Sequence, residues 1–130
     1  MTAKIWTGEL KTLEFKYDFD VNGGAIGTVA LGNLPDNFIV TEAYVVIDTT
    51  ITSAGTPTIV IGEDATGDAD GYFADFFGTP DAGTALKGGG ALISDGVHIV
   101  DPDEDGVLVT IGTAAVTAGV FRVFVRGFQS

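Results

Sequence analysis

Asp101-Pro102-Asp103-Glu104-Asp105-Gly106 is the sharpest chemical signal in the sequence. Carboxylates at alternate loop positions can converge on a hard cation such as calcium, and a Gly at the sixth position allows the sharp turn. The twelfth position of a helix-flanked calcium loop supplies a bidentate Glu. Here it is Gly112, and Val107–Gly112 reads as a strand. Asp101, Asp103 and Asp105 are therefore the calcium candidates, and the favoured reading is an acidic, solvated hairpin loop with no metal and no other cofactor. Glu63, Asp64, Asp68 and Asp70 form a second cluster that could hold a cation or supply a pair of catalytic carboxylates. In a chain with 18 Asp and Glu residues, closeness in sequence says little, so the expectation is again a solvated loop.

Ser94, Asp95 and His98 supply the residue types of a nucleophilic triad, and His98 is the one His in the chain. No G-x-S-x-G elbow surrounds Ser94. Asp95-Gly96 reads as a turn, so Ser94 and His98 do not share a strand face. Gly88-Gly89-Gly90 lacks the Lys-Ser/Thr that a phosphate loop needs. A cupin-type metal enzyme would need several His ligands. The sequence therefore predicts no catalytic residue, no bound cofactor and no enzymatic activity.

The C-terminal segment is of a different kind. Arg122, Phe124, Arg126 and Phe128 alternate with Phe121, Val123 and Val125. In a strand these sets face opposite ways, and the second is core. The first mixes Arg with aromatics, a pairing enriched at protein interfaces. Trp6, in the basic leader Met1–Thr12, is a further candidate anchor. Trp6, Arg122, Phe124 and Arg126 are the interface candidates.

The elements that would position these residues are strands. With 130 residues, 45% of them apolar and 18% charged, the chain has the size and content of one folded domain. Nineteen Gly and four Pro among short apolar runs imply many tight turns. There is no Cys, hence no disulfide and no thiolate metal site. The net charge of −12 disfavours nucleic acid and anionic membranes as partners. No apolar run is long enough to span a bilayer, and Met1–Lys16 has no apolar signal core, so synthesis and folding in the cytoplasm of its producer are expected. Basic residues gather near the two ends (Lys4, Lys11, Lys16, Arg122, Arg126), with Lys87 between, and the middle is almost purely acidic. Should the terminal segments be neighbours, the fold has one mixed-charge edge and one acidic face.

Leu13–Phe19 alternates with period two and reads as a half-buried strand ending at Asn22-Gly23-Gly24. Ala25–Leu31 is a second strand. Phe38–Thr49 is the longest, with Ile39, Ala43, Val45 and Ile47 on one face and Val40, Tyr44 and Val46 on the other; two apolar faces make it central. Thr58–Ile61 follows. Tyr72, Phe73, Phe76 and Phe77 have helical spacing, so one short helix is expected between Gly71 and Gly78. Ala91–Ser94 and Val97–Val100 flank Asp95-Gly96 as a hairpin. Val107–Gly112 and Val120–Phe128 are the last strands. The prediction is an all-β, single-domain β-sandwich or jelly roll of eight or nine short antiparallel strands with at most one short helix, with residues 1–12 as an N-terminal arm and 13–130 as the domain.

Thr58-Ile59-Val60-Ile61-Gly62-Glu63-Asp64, then Asp70-Gly71-Tyr72, then Thr117-Ala118-Gly119-Val120 leading into a strand alternating with Arg, resemble small virion proteins of tailed bacteriophages, notably jelly-roll capsid decoration (cement) proteins. The pattern spans Phe38–Arg126. The resemblance implies a homotrimer on the capsid exterior of a virion. There it would bridge subunits of the major capsid protein, with the arm and the Arg122–Phe128 strand in contact with capsid or neighbouring subunits. A tail or tail-fibre component shares the same pattern. A calcium-assisted carbohydrate-binding jelly roll, with Tyr72, Phe73, Phe76 and Phe77 as a sugar platform, is the alternative from another class.

Overall fold

The computed structural model describes residues 10–63, 68–94, 98–100 and 106–129. Trp6 and the calcium candidates Asp101, Asp103 and Asp105 lie outside these residues. Eight strands and two single-turn helices follow in the order β1 (Lys11–Asp18), α1 (Phe19–Asn22), β2 (Gly27–Asn33), β3 (Phe38–Ser53), β4 (Thr58–Gly62), β5 (Ala85–Lys87), α2 (Ala91–Ser94), β6 (His98–Ile99), β7 (Gly106–Gly112) and β8 (Val116–Gln129). They make the expected all-β sandwich. The larger sheet runs β1-β8-β3-β5, with β6 also on β3, and the smaller runs β2-β7-β4. The strand pairs are antiparallel.

Period-two alternation decides which side chains meet between the sheets. From the larger sheet Tyr17, Ala43, Val45, Ile47, Phe121, Val123 and Val125 point inward; from the smaller, Ile59, Ile61, Val107, Val109 and Ile111 do so, and all are buried. Tyr17 stacks on Phe121 with ring centroids 4.8 Å apart, and Phe76 meets Phe121 edge-on at 5.4 Å. β3 is central, as its two apolar faces predict, but its register is broken. Val40 pairs with Gly127 and Glu42 with Arg126, so Thr41 is an extra residue. Such a bulge reverses the alternation. Val40 therefore joins Ala43 inside and Ile39 faces out, the reverse of their expected placement. Thr41 Oγ1 donates to the Arg126 carbonyl at 3.1 Å across the bulge. A Cβ on Gly127 would lie 1.9 Å from the Ile39 oxygen, so only Gly fits opposite it.

The two helical turns fall where sequence spacing did not place one. Asp18 caps α1, its carboxylate accepting from the Asp20 N–H at 3.0 Å, and Gly23 at φ 76° ends it. Residues 72–77 are not helical. They run beside β4, with the Tyr72 and Phe73 N–H groups donating to the Ile61 carbonyl and Phe76 N–H to Ile59. Asp75 explains the difference. Its carboxylate takes the Ile59 and Phe77 N–H groups at 2.9 and 3.1 Å, an extended arrangement that competes with helix. Tyr72, Phe73 and Phe76 are core residues, so the sugar platform they would form is not presented. Ala91–Ser94, expected as a hairpin strand, is helical turn α2. Adjacent Leu92 and Ile93 both pack against the core, which a turn permits and a strand, alternating its faces, does not. β1 begins at Lys11, inside the segment assigned to the arm.

Thr113 carries φ 70°, and the Ala114 N–H donates to the Gly112 carbonyl at 2.7 Å. A positive φ under a three-residue hydrogen bond is the strained γ-turn, and a β-branched residue tolerates it poorly. Thr113→Gly is expected to raise stability by about 1 kcal/mol, read from the urea midpoint. A lower midpoint would mean that Thr113 makes compensating contacts.

Candidate functional site

The outer face of the larger sheet gathers the residues expected at an interface. Cross-strand register arranges them in rows, since directly opposed residues share a face. One row reads Glu14 (β1), Phe124 (β8), Tyr44 (β3), Lys87 (β5). The row on one side of it is Thr12, Arg126, Glu42, and the row on the other is Lys16, Arg122, Val46, Ala85. Beyond Arg126 lies an apolar row of Phe128, Ile39 and Ile99, with Ile99 59% exposed. Every described Lys or Arg belongs to β1, β5 or β8. The mixed-charge region anticipated for the termini thus exists, because β8 lies directly beside β1.

Arg122 and Arg126 differ in their attachments. Arg122 donates to both Asp48 carboxylate oxygens at 2.8 and 3.0 Å and reaches Glu14 at 3.5 Å. Its guanidinium carbon lies 5.2 Å from the Phe124 ring centroid. The hydrogen bond to Asp48 is the chief reason its pKa stands above the ordinary arginine value. Among the described residues no carboxylate lies within ion-pair distance of Arg126 or Lys87, and no cation lies that close to Glu42. Arg126, Glu42 and Lys87 are the charged groups on this face left to meet something else. Sequence reasoning found Arg122, Phe124 and Arg126 through alternation. It missed Glu14, Glu42, Tyr44 and Lys87, which register alone brings to them.

His98 and Glu63 form the second feature. Glu63 follows β4 and is 4% exposed; His98 lies on β6 opposite Val40 of β3. Glu63 Oε1 contacts His98 Nε2, which joins the two sheets at one end of the sandwich. A carboxylate oxygen and a ring nitrogen facing each other require a proton between them. Tyr72 stands edge-on to the His98 ring, with centroids 6.3 Å apart. Burial, and then the nearby Glu63 charge, push its phenol well above the ordinary range. Glu63 is thus a buried acid and not the solvated loop residue the sequence suggested, while Ser94 is exposed on α2. Asp68 and Asp70 do remain on the surface. A hydrogen bond to Asp70 is the main reason the Asp68 carboxyl lies above the usual carboxylate range. Among the described residues no group of three His, Cys, Asp or Glu is placed to hold a metal. A groove of about 310 Å³, lined by Phe73, Phe76, Leu86 and Lys87 among others, opens beside β5.

Three solved structures with a similar fold come from phage capsids. A chain of the capsid asymmetric unit of cyanophage Pam1 superposes with a TM-score of 0.73 at 22% identity, covering 100% of this chain and 91% of that one. A chain from the capsid of Ralstonia phage GP4 gives 0.65 at 19% identity, again covering 100% and 91%. One from the acidic stable capsid structure of Helicobacter pylori bacteriophage KHP30 gives 0.65 at 12% identity, covering 92% and 87%. At such identities the likeness establishes the fold. No protein-family model matches the sequence, and no curated protein matches it.

Proposed function

We propose that the chain is a non-enzymatic structural protein of a phage virion that decorates the capsid exterior and strengthens it by bridging major capsid protein subunits. The observation that carries this reading is the agreement of fold over essentially the whole chain with capsid chains of three phages. Charge supports an exterior position, since a body of net charge −12 is repelled by packaged DNA. The outer face of the larger sheet supplies a contact surface with aromatic centres and charges of both signs, the make-up of protein interfaces. Three-fold assembly, as in the proteins the sequence resembles, belongs to the same proposal.

Particles made without this protein are expected to release DNA at a lower temperature than complete particles and to recover when purified protein is added back. Immunogold labelling of virions supplies the location. Label over the shell supports the proposal, label confined to the tail moves the protein to a tail role, and its absence from virions overturns the reading.

A further inference from the structure

The outer face of the larger sheet is complementary to itself. Across the sheet its rows run Glu14, Phe124, Tyr44, Lys87 and Thr12, Arg126, Glu42. Consider a two-fold axis lying in the interface, parallel to the strands, above the line between β8 and β3. Rotation about it preserves position along the strands and reverses position across them. Each row then lies over its own copy, reversed. Glu42 meets the partner's Arg126, Glu14 meets the partner's Lys87, and Phe124 meets the partner's Tyr44. In the apolar row Phe128 meets the partner's Ile39. Arg122 has no acid opposite, but carries the Asp48 carboxylate with it.

We infer that two copies of this chain pair back to back through these faces, about that axis. Three observations select a second copy as the occupant. The charge order along both rows is antisymmetric about the β8–β3 line, as an isologous interface requires. Arg126, Glu42 and Lys87 are the groups left without an ionic partner among the described residues, and the rotation supplies one to each. Asp20, Asp70, Asp75 and Asp81 are exposed acids that lie off this face, so there two copies repel. Sheets packed face to face stand about 10 Å apart, a gap that Glu and Arg side chains close together. The inference names the partner for the surface invoked above and rests on that reading only for where the pair is used. A trimer formed through other faces could carry the same contact on each subunit.

One face of a single sheet makes a small interface, so pairing should depend on concentration. Sedimentation equilibrium of the purified chain at low salt is expected to show a species of twice the mass found at about 1 M salt, where the Debye length is about 3 Å and the pairing is weakened. Glu42→Lys alone and Arg126→Glu alone should each weaken pairing at least tenfold, because like charges then face each other. An equimolar mixture of the two variants should pair again, since each altered residue meets the other's opposite charge. Both positions are on the surface, and an unchanged urea midpoint shows that the variants fold. A mixture that stays unpaired, or a wild-type mass that neither substitution alters, overturns the inference. Capsid binding by the same variants is a separate readout. Binding retained without pairing leaves the virion role standing, whereas wild-type protein that fails to bind capsids counts against that role and not against the pair.

Discussion

Replacing His98 with alanine is expected to cost the fold about 3–5 kcal/mol, a large part of the 5–15 kcal/mol that holds a domain of this size. The reason is the position of Glu63. With 4% of its surface exposed, its carboxyl group loses the group that shares its proton when the imidazole goes. Glu63→Gln with His98 intact should cost less, about 1–2 kcal/mol, because a neutral amide can still hydrogen-bond the ring. Removing both polar groups together, as Glu63→Leu with His98→Phe, should come close to neutral, since a buried hydrogen-bonded pair contributes little beyond an apolar pair of similar size. Urea denaturation at neutral pH reads all three. A His98→Ala loss below about 1 kcal/mol would show that water reaches Glu63 and that the pair is not buried.

Phe121→Ala should lower stability by a similar amount, about 3–5 kcal/mol, through cavity formation. Phe121 is 1% exposed, stacks on Tyr17 and touches Phe76 edge-on, so its loss strips a wall from two other rings. The melting temperature should fall by roughly 10–20 °C. Phe124→Ala, three residues on and facing out, should cost about 1 kcal/mol or less while weakening association. If the two variants lost equal stability, the assignment of inner and outer faces of β8 would be wrong.

The same strand shows how much could be read in advance. Alternation from Phe121 to Phe128 identified both faces, because the side-chain period of a strand is fixed by backbone geometry alone. β3 shows the limit. Its alternation is equally regular in sequence, yet one bulge at Thr41 exchanges Ile39 and Val40, and nothing local announces it except Gly127 on another strand. Tyr72–Phe77 failed for a related reason. Helical spacing of aromatics is ambiguous, and the deciding group, Asp75, acts in part by a hydrogen bond from Ile59, 16 positions away. The outer face of the larger sheet was half legible. Its arginines, Phe124 and Phe128 belong to one strand, while Tyr44 and the acids and Lys87 that give the face its charge order arrive by register. Glu63 was the least legible, since a carboxyl after an Ile-Gly strand end looks like a loop residue until the one His lies beside it.

β8 occupies the middle of the larger sheet, flanked by β1 and β3, although it is the last strand of the described chain. Synthesis proceeds in the other direction. While the ribosome is still making residues 116–129, the edges of β1 and β3 that β8 will join have no partner, and Tyr17 lacks the Phe121 ring on which it stacks. The sandwich therefore closes late, over contacts more than a hundred residues apart such as Lys11 with Gly127. Folding of this kind is slow and leaves nascent chains open to aggregation or chaperone capture until the final strand is inserted.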